Sequence, residues 1–133
     1  IDAKIGETGI LNDLFVIKRI REINDLDVSN PLWNTTNTNE AITFLNSQQG
    51  IVISNGRIVE IDFENIQEYR FNLEVLPPEI GDLTNLTKVD VNYTLLTNLP
   101  PEIGNLNNLT NLPYTMPIGV LLPSSESNSL FLK

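Results

Sequence analysis

A twelve-residue block occurs twice in this chain, and that repetition limits the possible folds more than any other feature. Leu76-Pro77-Pro78-Glu79-Ile80-Gly81-Asp82-Leu83-Thr84-Asn85-Leu86-Thr87 returns 23 residues later as Leu99-Pro100-Pro101-Glu102-Ile103-Gly104-Asn105-Leu106-Asn107-Asn108-Leu109-Thr110, with ten of the twelve positions identical. A leucine-rich period of this length marks stacked units, none of which can bury its apolar side alone. The paired prolines stiffen the start of each block, and Glu-Ile-Gly after them predicts a single helical or 3₁₀ turn. Strand-like positions follow each block: Leu86, Val89, Val91, Leu96 and Leu99, then Leu109, Leu112, Tyr114, Gly119 and Leu122. The later copy decays as Pro113 and Pro117 enter. Upstream, Ile58, Ile61 and Phe63 fit the same pattern 28 residues before its second occurrence, so roughly five residues are inserted within 64–74.

The first 56 residues lack this period. Ile10, Leu14, Ile17 and Ile20 recur at helical spacing over residues 9–24, with Asp13, Lys18, Arg19, Arg21 and Glu22 assigned to the opposite face. Lys18, Arg19 and Arg21 read either as an anionic docking patch or as a solvated helix face, and the second is the expectation. Residues 25–39 read as a loop that holds Trp33, the one tryptophan. A second helix is expected from Asn39 as N-cap, ending before Ser47-Gln48-Gln49-Gly50. Asn55-Gly56 between two β-branched runs predicts a hairpin. The organisation expected is a helical N-terminal cap with hairpin entry over 1–56 and repeats with a degenerate C-terminal unit over 57–133.

The chain has neither cysteine nor histidine. Disulfides, thiolate chemistry and the commonest general base and transition-metal ligand are thereby excluded. A net charge of −9, with only eight Lys and Arg, opposes binding to nucleic acid or to anionic membranes. No apolar run reaches the roughly 20 residues that span a bilayer. No cofactor or metal is expected.

The block residues resemble leucine-rich-repeat proteins with L-P-P-E-I-G-N-L-x-x-L units, of the bacterial and plant type, over residues 57–112. Trp33, Gly50-Ile51-Val52 and Asn55-Gly56-Arg57-Ile58-Val59-Glu60-Ile61 are similar to the N-terminal capping module of plant-type repeat ectodomains, without its paired cysteines. The family's post-strand asparagine corresponds here to Ile66, Thr94 and Pro117. The resemblance implies an α/β fold: a leucine-rich-repeat solenoid with a short parallel sheet of about three strands and a helical N-terminal cap. It also implies binding of a protein or peptide on the concave sheet, without catalysis. The start at Ile1, the Asn/Thr-rich surface and the cap resemblance point to an extracellular or cell-surface protein. Four N-x-S/T sequons, at Asn34, Asn85, Asn92 and Asn108, would matter only on secretion.

In that frame the positions between the apolar ones face outward, and the candidate partner-binding residues are Glu60, Asp62, Glu64, Lys88, Asp90, Asn92, Tyr93 and Met116. Lateral stacking of strands sets Glu60 beside Lys88 as an ion pair, Asp62 beside Asp90 as like charges, and Tyr93 beside Met116. The cluster of Asp62, Glu64 and Asp90 reads as solvated charge, as a reader of basic peptides, or as a calcium or carboxylate-catalysis site, in that order. The alternative function is self-association through the C-terminal end. Residues 117–133, rich in apolar side chains, are expected either to fold back over the last strand or to meet a second subunit as a homodimer.

Overall fold

The computed structural model of the chain describes residues 9–113. Helix α1 (Gly9–Ile23) leads into a 3₁₀ turn at Pro31–Asn34 and helix α2 (Thr38–Asn46). Strands β1 (Ile51–Ser54) and β2 (Arg57–Asp62) follow, then the single-turn helix α3 (Gln67–Arg70). A 3₁₀ turn at Pro78–Asp82, strand β3 (Lys88–Asp90) and a second equivalent turn at Pro101–Asn105 complete the described order. The helix expected from Asn39 starts earlier, because the Asn37 side chain accepts the Glu40 N–H at 2.9 Å and caps the first turn.

The sheet order is β1-β2-β3, antiparallel between β1 and β2 and parallel between β2 and β3. This overturns the expected solenoid with its parallel sheet: the described residues form a small α/β fold on a three-stranded mixed sheet. Two local causes are visible. Asn55 and Gly56 both take positive φ, 53° and 74°, so the chain reverses tightly and β1 pairs back on β2. On the other side, the third parallel strand shrinks to one bridge, Lys88 with Asn111. There Val91 N–H donates to the Pro113 carbonyl at 3.0 Å, but Pro113 has no N–H to return.

The β1–β2 register shifts between Val52 and Ile53, which leaves Val59 as an extra residue in β2. That bulge lets Ile58 and Ile61, three apart, both enter the core. The inserted residues are equally plain. Thr87 reaches back 28 residues to the Val59 carbonyl, whereas Thr110 reaches back 23 to that of Thr87. The extra length holds α3, whose Tyr69 packs edge-on against Phe63 with ring centroids 4.8 Å apart.

One continuous apolar core runs from Ile10, Leu14, Ile17 and Ile20 of α1 through Ile58, Ile61 and Phe63 to Leu83, Leu86, Val89, Leu106 and Leu109. Two polar clamps fasten α1 to it. Asp13 has no exposed surface; Arg57 Nε and Nη2 donate to its two carboxylate oxygens at 2.9 Å each, and Ile58 N–H donates at 3.0 Å. Burial pushes the Asp13 carboxyl up from the ordinary carboxylate range, against the opposing pull of Arg57 and the Ile58 N–H. Asn24 donates to the carbonyls of Ile20 and Val75 and accepts from the N–H groups of Glu74 and Val75. No helix among the described residues is long and apolar enough to cross a membrane.

Candidate functional site

Strands β2 and β3 bring the expected acidic residues together. Their register pairs Glu60 with Lys88, Ile61 with Val89 and Asp62 with Asp90. The parallel alignment places Asp62 and Asp90 side by side at the strand ends, and Glu64 follows just beyond β2. Carboxylate oxygens of all three lie within 4.8 Å of one another. At that separation like charges repel appreciably, and an incoming cation relieves the repulsion.

Local hydrogen bonds hold the cluster in place. Asp62 accepts from the Asn65 N–H at 3.2 Å and from its side-chain amide at 2.6 Å. Asp90 accepts from the Asn92 N–H at 3.0 Å, closing a turn that carries Tyr93 into a left-handed φ of 60°. Non-glycine residues adopt that conformation uncommonly. Tyr93 is thrown outward by it and stays 58% exposed.

Two expectations are corrected here. Asp90 is largely buried rather than outward-facing, because its carboxylate is folded into the turn to Asn92. Glu60 and Lys88 are strand neighbours, yet no ion pair closes between them among the described residues. Such a pair at a half-exposed position gains little, about 0–1 kcal/mol, so nothing forces it shut. The post-strand asparagine position is served differently: buried Thr94 donates its hydroxyl to the Val91 carbonyl at 2.9 Å. Met116, expected beside Tyr93, and the fold-back or dimer contact of residues 117–133 lie outside the described residues.

A second polar centre escaped the sequence reading. Arg21, assigned to the solvated face, is only 6% exposed. Its guanidinium lies over Trp33 at 5.4 Å and near Tyr69 at 5.7 Å, measured to the ring centroids. Nε donates to the Asp27 carbonyl at 2.8 Å, and Nη1 and Nη2 donate to the Glu68 carboxylate at 3.0 and 3.3 Å. Burial works against the charge, but Glu68 and Tyr69 outweigh it and raise the Arg21 pKa above its ordinary value. A cavity of about 250 Å³ opens beside this pair, lined also by Ser47, Gln48 and Gln49. Lys18 and Arg19 stay outside, the first bonded to Asn34 and near Glu22, the second 3.8 Å from Glu79. The signal for Arg21 was its helical phase. With Asp13 and Asn24 it falls on the same stripe as Ile10, Leu14 and Ile17.

No family model matches the chain, and no curated protein matches it either.

Proposed function

We propose that this protein is a non-catalytic protein- or peptide-binding module that takes a basic segment on the β2–β3 strand ends. The observation that carries the reading is the convergence of Asp62, Glu64 and Asp90, with carboxylate oxygens within 4.8 Å of one another. Exposed Tyr93, three residues beyond Asp90, adds an aromatic surface with a polar tip, the residue type favoured at contact centres. A lysine or arginine side chain suits such a place because it brings both a cation and an apolar stem.

The test is a binding titration by fluorescence anisotropy with a dye-labelled lysine-rich peptide and a glutamate-rich counterpart of equal length. Asp62→Asn with Asp90→Asn should weaken the lysine-rich peptide by about tenfold, equivalent to about 1.4 kcal/mol. Asp25→Asn with Glu74→Gln removes the same charge from exposed positions elsewhere and should leave affinity nearly unchanged. Equal losses in both double variants would reduce the effect to net charge and refute the site.

A further inference from the structure

We propose that the Arg21 cleft is a binding site for a small carboxylate ligand, at present filled by the chain's own Glu68. This site lies on α1 and α3, and it does not depend on the reading of the strand ends. Three features of the guanidinium set it up as a receptor. Its faces are covered by Trp33 and approached by Tyr69, and Nε is fixed to the Asp27 carbonyl. The Nη1 and Nη2 edge, whose Nη1 also donates to the Tyr69 hydroxyl at 3.5 Å, is the fork that matches a carboxylate. Arg21 is thus a rigid, buried receptor, with a side chain 7% exposed, whereas the Glu68 side chain opposite it is 55% exposed.

The two partners therefore differ in what holds them. Arg21 is locked by two aromatic rings and a backbone carbonyl. Glu68 sits on a single helical turn within the stretch that the repeat period does not require, and its side chain is about half exposed. The buried guanidinium needs a carboxylate on its fork, and an external one can take that place while the half-exposed Glu68 side chain returns to water. Room for the rest of such a ligand is present beside the pair, in the cavity of about 250 Å³ walled by Ile51, Ile66, Ser47, Gln48 and Gln49. That volume is just under the usual range for drug-sized ligands, which fits a small acid. An internal occupant lowers apparent affinity by the fraction of time it fills the site, so removing it should reveal the intrinsic affinity.

Trp33 reports directly, since it is the only tryptophan and touches the guanidinium. Succinate is titrated against chloride and sulfate at matched ionic strength, and Trp33 emission is followed in the wild type, Glu68→Ala and Glu68→Ala with Arg21→Met. Saturable succinate binding that tightens at least about tenfold in Glu68→Ala, and vanishes when Arg21 is also replaced, is the expected result. The emission of Glu68→Ala failing to respond saturably would overturn the proposal, and that variant leaves Arg21 and its aromatic neighbours intact. Sulfate binding as tightly as succinate would overturn the carboxylate assignment.

Discussion

Asp13 is the most deeply buried charged residue among those described. It has no solvent exposure, yet it receives two guanidinium donors and one backbone N–H, and so couples the first helix to the first residues of β2. Asp13→Ala should strand Arg57 and the Ile58 N–H, and should lower stability by about 3–5 kcal/mol, read as the shift in a urea unfolding midpoint. A loss below about 1 kcal/mol would show that the clamp is dispensable. Tyr69 gives a second residue-scale prediction, in alkali. Burial holds its phenol above the ordinary 10.0, even though Arg21 pulls the other way. The folded chain thus keeps a proton that the unfolded chain gives up near that value. The stabilisation is complete below it and is lost as pH rises through the higher folded value. Tyr69→Phe should remove a phenol that ionises above 10.0 from the near-ultraviolet absorbance titration; an unchanged absorbance change above that pH would contradict the assignment. Both buried ions were within reach of the sequence through helical phase alone. Charge by itself reads as surface, and only the partners, 44 and 47 residues away, reverse that reading.

Among the elements, the two 3₁₀ turns offer an internally matched experiment. Pro78–Asp82 and Pro101–Asn105 come from the repeated block, yet their glycines meet different surroundings. A Cβ on Gly81 would stand 3.0 Å from both the Cβ and the carbonyl oxygen of Glu102, whereas one on Gly104 would meet nothing among the described residues within 4 Å. Gly81→Ala should therefore cost at least about 1 kcal/mol more than Gly104→Ala in thermal or urea unfolding. Equal effects would mean that the two turns are not packed against each other as closely as described. Here the sequence was informative about units and poor about their assembly. The repeated block foretold both turns, and the 28-residue offset foretold which residues of β2 and β3 stand side by side. Asn55-Gly56 foretold the hairpin but not its consequence, that β1 would pair antiparallel and turn the sheet into a mixed one. The bulge at Val59 left only the three-residue spacing of Ile58 and Ile61, which is indistinguishable from a helical step in so short a run.

For the molecule as a whole, the helices and the repeated blocks share one core, and function is left to what that core holds at its surface. The acidic strand ends were legible because parallel pairing converts a sequence offset into lateral contact. The Arg21 cleft was not, because it is assembled from α1, the Trp33 turn, the start of β1 and α3, which no single period connects. The central claim is that the β2–β3 strand ends carry the partner, and backbone amide shifts report on it residue by residue. Adding a lysine-rich peptide to isotopically labelled protein should move the amides of residues 59–65 and 88–93 at substoichiometric to equimolar peptide, leaving those of 101–105 and of α1 in place. Shifts spread evenly over the acidic surface, or centred on residues away from Asp62 and Asp90, would contradict it.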